Sequence, residues 1–150
     1  MEERFTVMLI EDDSAHAELI MRSIRMIGII DDIIHLEDGE MVLDYLRNTG
    51  QFKNKEKFKR PHLILLDLRL PKIDGLDVLT EIKKNTDFLD IPVVILTTSN
   101  AEQDIIRAYQ NHANSYLVKP IEFKLFEKLL HDLGIYWLKL NKRPKEFAGV

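Results

Sequence analysis

The sequence predicts an α/β domain of the doubly wound kind, a five-stranded parallel sheet covered by helices on both faces. Five short apolar runs, Phe5–Ile10, Ile33–Glu37, Leu63–Asp67, Val93–Leu96 and Tyr116–Val118, are near-continuous rather than alternating, as strands buried on both faces are. Between and after them lie segments whose apolar residues recur at helical spacing, so strand and helix alternate and are joined by right-handed crossovers. Polar residues follow the strand runs abruptly, and ligands of such sheets bind outside the carboxyl ends of the strands, where strand order reverses.

The first strand, Phe5 to Ile10, is too short for a helix and is bounded by Glu11, Asp12 and Asp13. From Ser14 the residues Ala17, Leu19, Ile20, Ser23, Ile24 and Ile27 fall at helical spacing, with Asp13 or Ser14 as N-cap and Gly28 as the stop. The second strand spans Ile33 to Glu37, and the second helix spans Gly39 to Asn48 with Met41, Val42, Tyr45 and Leu46 on one face. Gln51 to Arg60 is polar and lysine-rich, a solvated connection before Pro61. Leu63 to Leu66 delivers Asp67 to the sheet edge, and Leu76, Val78, Leu79 and Ile82 mark a third helix that ends by Asn85. The fourth strand, after Pro92, delivers Thr97, Thr98 and Ser99. Ser99-x-x-Glu102 reads as a capping box that opens a fourth helix carrying Ile105, Ile106 and Tyr109. The fifth strand ends in Lys119-Pro120, and the last helix, from about Glu122 to about Leu140, is the longest.

The 150 residues, 45% hydrophobic and 31% charged, fit one domain over 1–140 with an extended last helix, followed by a tail over 141–150. No apolar run approaches the roughly 20 residues of a membrane helix and no leader follows Met1, which points to the cytoplasm and to no membrane partner. The absence of cysteine excludes disulfides, thiolate zinc sites and cysteine nucleophiles. A formal charge of −4 offers no general attraction to nucleic acid; Lys139, Lys142, Arg143 and Lys145 make the C-terminal end basic, as solvated tails often are. The five histidines, His16, His35, His62, His112 and His131, show no ligand spacing and read as structural or surface residues.

Gathered at the strand ends are Glu11, Asp12 and Asp13, then Asp67, Thr97 and Lys119. Two carboxylates about 4 Å apart repel by roughly 4 kcal/mol at an effective dielectric near 20, so such a site needs a cation or a raised pKa. Oxygen ligands without His or Cys suit Mg²⁺ or Mn²⁺, and a partly hydrated Mg²⁺ also grips phosphate oxygens. Lys119 and Thr97 are placed to bind the same phosphoryl group by an ion pair and a hydrogen bond. The plain alternative for Asp67 is a cap of the turn that follows it.

These residues resemble the receiver domain of two-component response regulators. The matching pieces are Ile10 to Asp13, Leu66 to Gly75, Pro92 to Ser99 and Tyr116 to Pro120, in the right order over residues from about 5 to 135. The resemblance implies a flavodoxin-like (βα)5 sandwich of strand order 2-1-3-4-5. It implies Asp67 as phosphoacceptor, Glu11 and Asp12 as the acidic pair serving Mg²⁺ with Asp12 as the direct ligand, and the backbone carbonyl of Arg69 as a further ligand. Thr97 and Lys119 then contact the phosphoryl group, and Tyr116 is the aromatic switch residue. Asp13 is either the helix N-cap or a water-mediated contact to the metal. Arg69 and Ser99 flank the phosphoryl group and influence its hydrolysis, or are a solvent-facing Arg and a helix cap.

A finer likeness, carried by Thr49-Gly50-Gln51-Phe52, Leu96 to Ser99 and Phe126 through Leu138, is to single-domain regulators paired with phytochrome-type histidine kinases, from which Pro120 departs. The implied function is acceptance of a phosphoryl group from a sensor histidine kinase, with output through the face of helix four, strand five and helix five. The protein is then no enzyme beyond its own phosphorylation and dephosphorylation. A haloacid-dehalogenase phosphatase would want an acid where Arg69 stands, and a flavin or nucleotide site would not place three acids after the first strand. The competing reading is a pseudo-receiver that binds partners without phosphorylation. Phe126, Leu130, Leu133, Trp137 and Leu140 form one stripe on the last helix, and Leu125, Leu129, Tyr136 and Leu138 are a surplus that suggests a homodimer through that helix.

Overall fold

All four neighbouring strand pairs run parallel, in the order β2-β1-β3-β4-β5, in a computed structural model that describes residues 3–54 and 60–144. The elements are β1 (Phe5–Ile10), α1 (Ser14–Arg25), β2 (Ile30–Leu36), α2 (Gly39–Arg47), β3 (Leu63–Leu66), α3 (Gly75–Lys84), β4 (Val93–Thr97), α4 (Glu102–Gln110), β5 (Ser115–Val118) and α5 (Phe123–Ile135). The flavodoxin-like α/β architecture and the strand order expected from the resemblance are both present.

Side-chain alternation divides the core in two. Met8, Ile10, Ile64, Leu66, Val93 and Ile95 point into the layer shared with α2 and α3. Val7, Leu9, Leu63, Leu65, Val94 and Leu96 point into the layer shared with α1 and α5. The central strands β1, β3 and β4 are buried along their whole length, which is why they read as unbroken apolar runs. The caps follow from composition: Asp13 accepts from the amides of Ala15 and His16 at the start of α1, and Asn48 closes α2 in the left-handed region at φ 55°.

Four local expectations change. β2 begins at Ile30, not Ile33, because Asp31 and Asp32 are exposed on an edge strand, where acids are tolerated. The expected capping box is not formed: Ala101 occupies the N-cap position of α4 without a side-chain bond, and the Ser99 hydroxyl turns to Asp104 instead. On α4 only Ala108 is fully buried, while Ile106 and Tyr109 are exposed. The last helix does reach Leu140, but Tyr136–Leu140 is a π-helical turn, and the wider turn brings Leu138 rather than Leu140 into line with Leu133. Leu138 is buried and Leu140 is 70% exposed.

The polar connection after α2 contains a 3₁₀ turn, Gly50–Phe52, whose Phe52 is buried edge-on against Tyr45 at 5.0 Å. The remainder of that connection, residues 55–59, lies outside the described residues, as does Lys145 with the rest of the tail from 145 to 150. Arg143 is not solvated: its guanidinium sits 4.2 Å above the Phe5 ring and pairs with Glu3 at 2.9 Å. Phe5 in turn meets the His62 ring edge-on, and His62 Nδ1 accepts from the Thr6 amide at 2.9 Å.

Burial and the nearby Arg143 cation hold the His62 pKa below its ordinary 6.5. His62 therefore contributes stability that is present above pH 6.5 and lost as pH falls through its lowered folded value. Thermal unfolding followed from about pH 8 to pH 5 is expected to show falling stability on the acid side, and a shallower fall in His62→Asn, whose amide oxygen does not titrate there.

Candidate functional site

Glu11 follows β1, Asp67 follows β3, Thr97 closes β4 and Lys119 follows β5, so four adjacent strand ends each deliver one polar side chain to the same edge. The backbone fixes them there. The amide of Asp67 donates to the Ile10 carbonyl at 3.0 Å, and the amide of Lys119 donates to the Thr97 carbonyl at 2.7 Å. All four are buried despite their polarity.

The Lys119 ammonium is the hub. It donates to Glu11 Oε1 and to Asp67 Oδ2, the latter at 2.8 Å, and lies 3.0 Å from His16 Nδ1. Asp67 Oδ1 accepts from the Arg69 amide at 3.0 Å. Burial raises the Asp67 pKa, but the hydrogen bond from Lys119, the Arg69 amide and the Thr97 hydroxyl outweigh it and hold the carboxyl below its ordinary range. Asp67 is thus held in its charged form although it is buried. Glu11 behaves oppositely: burial, with the Asp67 charge beside it, lifts its pKa to about 7 against the pull of Lys119. One ammonium cannot fully compensate two buried carboxylates, and the deficit falls on Glu11.

That deficit is the structural argument for a cation. Glu11, Asp12 and Asp67 each offer a carboxylate oxygen within 4.8 Å of the others, an all-oxygen set with two buried members and Asp12 exposed at the mouth. Such a set fits a hard divalent ion that keeps part of its water shell. Asp13 stands outside this cluster: its Oδ1 is the N-cap acceptor of α1, and the His16 amide is the main cause of its lowered pKa.

Thr97 is fully buried, and its Oγ1 lies 3.4 Å from the Ser99 amide. Tyr116 is half-buried and donates its hydroxyl to the Ser99 carbonyl at 3.0 Å. The Arg69 side chain spans the mouth of the site to Asp104 at 3.4 Å. Two participants escaped sequence reasoning. His16 touches Lys119 because the first turn of α1 places it back over the strand ends, and its spacing from Asp13 was the available signal. Asp104 has no motif of its own and reaches the rim only through the packing of α4.

A five-stranded doubly wound sheet whose strand ends gather an acidic pair, a further Asp, a Thr and a Lys defines a receiver module of two-component signalling. A match to the family described as the response regulator receiver domain covers residues 7–131, and the chain belongs to that family. It is 44% identical over 144 residues to the probable methanogenesis regulatory protein FilR2 of Methanothrix harundinacea, covering 95% of this chain and 90% of that protein. It is 41% identical over 138 residues to the response regulator Rcp1 of Synechocystis sp., covering 92% of each. The Mn²⁺-bound structure of Rcp1 superposes with a TM-score of 0.85 at 40% identity, covering 93% of this chain and 99% of that one. The phosphorylated cyanobacterial phytochrome response regulator RcpA superposes with a TM-score of 0.88 at 34% identity, covering 95% and 99%. Among the described residues no helix is long and apolar enough to cross a membrane.

Gly75 sets the position of the loop that carries Asp67. A Cβ there would lie 2.5 Å from Leu68 Cα and 2.6 Å from the Asp67 carbonyl oxygen, both backbone atoms that cannot yield locally. Gly75→Ala is expected to cost roughly 1–3 kcal/mol in urea unfolding, as overpacked sites do.

Proposed function

We propose that this protein is a response regulator that accepts a phosphoryl group from a histidine kinase on Asp67. The observation that carries the reading is the ionised, buried Asp67 carboxylate held against Lys119 at the mouth of the strand ends. A carboxylate oxygen of Asp67 attacks the phosphorus of a phosphohistidine; the P–N bond breaks as the O–P bond forms, and the imidazole nitrogen leaves with the electron pair. Lys119 stays ionised and offsets charge on the phosphoryl oxygens, and the buried Thr97 hydroxyl lies on the same edge to donate to one of them. Glu11, Asp12 and Asp67, with the backbone carbonyl of Arg69, are the groups proposed to hold Mg²⁺ or Mn²⁺, which would supply further positive charge to the transferring group. The Mn²⁺-bound form of Rcp1 supports that choice of ion.

The output proposed is a change in the face of α4, β5 and α5 as Thr97 and Tyr116 respond to the new charge. The likeness to the phytochrome response regulator RcpA supports a phytochrome-type kinase as donor, and a cytoplasmic setting is proposed with it. FilR2, by its name, serves a different regulation, so phosphotransfer from purified phytochrome-type kinase is the decisive comparison. The same residues serve a binding module without phosphorylation if no kinase or small donor modifies the chain.

Incubation with acetyl phosphate and Mg²⁺ is expected to add one phosphoryl mass to the wild type and none to Asp67→Asn. Equal modification of both would place the acceptor elsewhere. Exposed Leu125, Tyr136 and Leu140 on the last helix support a homodimer through that helix. Sedimentation at high micromolar concentration is expected to give twice the chain mass, and a monomer there removes this part of the reading.

A further inference from the structure

We infer that His35 is a positioning residue of the acidic set: its imidazole Nε2–H holds the Glu11 carbonyl and thereby fixes the peptide that carries Asp12 at the mouth of the site. His35 lies in β2, one residue before its end, half-buried and in register with Leu9 of β1. Its Nε2 is 2.8 Å from the Glu11 carbonyl oxygen. A carbonyl oxygen only accepts, so Nε2 carries the hydrogen, as it does in one neutral tautomer and in the charged ring alike. The bond therefore does not depend on the charge of the ring.

The end of the β1–β2 ladder explains why that carbonyl needs a side chain. The Glu11 amide donates to the Leu36 carbonyl at 3.0 Å, and in a strand the C=O of a residue faces the same neighbour as its N–H. A ladder continued by one step would offer the Asp38 amide, but β2 stops at Leu36 and Asp38 is already the N-cap of α2. Nor does α1 take up the Glu11 carbonyl, because its own ladder starts from the Asp13 carbonyl, which accepts from the Ala17 amide at 2.9 Å. Glu11 is 1% exposed, so its carbonyl depends on a protein donor. His35 is that donor.

What the bond fixes is a direction. The peptide unit is planar, so holding the Glu11 carbonyl also sets the amide and Cα of Asp12. The Glu11 side chain has other restraints: its carboxylate accepts from Lys119 and from the Asp13 amide. Asp12 has none. It is exposed, and among the described residues no hydrogen bond or ion pair holds its carboxylate, so only the backbone it hangs from directs it toward Glu11 and Asp67. Its oxygen nevertheless lies within 4.8 Å of theirs. The consequence for metal affinity rests on the proposal that these three acids hold the ion; the restraint on the peptide does not.

The full chain, isotope-labelled and free of metal, gives a carbonyl resonance for Glu11 and a ring Nε2–H resonance for His35. The ring proton is expected to exchange slowly with water. The Glu11 carbonyl resonance is expected to move upfield in His35→Leu and to keep its place in His35→Gln, whose amide nitrogen reaches about as far as Nε2. Binding of Mn²⁺ alone, followed by loss of the free-ion paramagnetic resonance signal, is expected to weaken about tenfold in His35→Leu, the lower end of what a lost outer partner costs a metal site, and to recover in His35→Gln. Thermal unfolding of the same variants separates this effect from stability. His35→Phe, a flat ring without the donor, is read in the same way where His35→Leu does not fold. A freely exchanging ring proton, an unmoved Glu11 carbonyl, no recovery in His35→Gln, or an unchanged Mn²⁺ affinity with a lowered Tm overturns the inference. If the wild type itself binds no Mn²⁺, it is the reading of the three acids as a metal site that fails, and the two resonances still decide His35.

Discussion

The buried ion contact between Lys119 and two carboxylates is the constraint on which the rest of the site depends. Lys119, Glu11 and Asp67 are 5%, 1% and 6% exposed, so none can discharge its desolvation cost into water. Removing the ammonium would leave two anions facing each other in low dielectric; removing either acid would leave the ammonium in a one-to-one pair with the other. The three residues come from β5, β1 and β3, so the contact exists only when the sheet has closed in the 2-1-3-4-5 order. The site therefore tests the fold, and the fold's central strands must be apolar enough to drive closure against this cost.

The unequal fate of the two acids follows from how each is surrounded. Asp67 gathers an ammonium, a backbone amide and a hydroxyl, three donors that favour its charged form. Glu11 shares the ammonium and otherwise meets the Asp13 amide at 3.2 Å and the Asp67 charge, and its pKa is pushed up to about 7. Asp67 is thus kept in its charged form, while its neighbour is the group that gains most from an added cation.

Much of this was legible in the sequence because it rests on period and on strand-end position. The apolar runs of β1, β3 and β4 and the acids, Thr and Lys that follow them needed no tertiary information. What escaped depends on competition between local and distant partners. Ser99 has the spacing of a capping residue, but its hydroxyl donates to the Asp104 carboxylate and accepts only from the Ala101 amide, before the helix begins. Leu138 and Leu140 exchange places because a π-turn breaks the helical period, and no residue type announces one. Arg143 reads as a tail cation until the chain folds back over Phe5. His16 has no partner of its own kind, and its role appears only when α1 is laid beside Lys119.

A switch that moves a population from mostly one state to mostly the other needs about 5.5 kcal/mol of differential stabilisation. One hydrogen bond to a charged group supplies only about 1.5–3 kcal/mol, so a single contact at Asp67 cannot complete the change. Two or three must change together. The contacts within reach of Asp67 that can do so are few: Lys119 to Asp67, Arg69 to Asp104, Ser99 to Asp104 and Tyr116 to Ser99. The first meets Asp67 directly; the other three are linked to one another through Ser99 and Asp104.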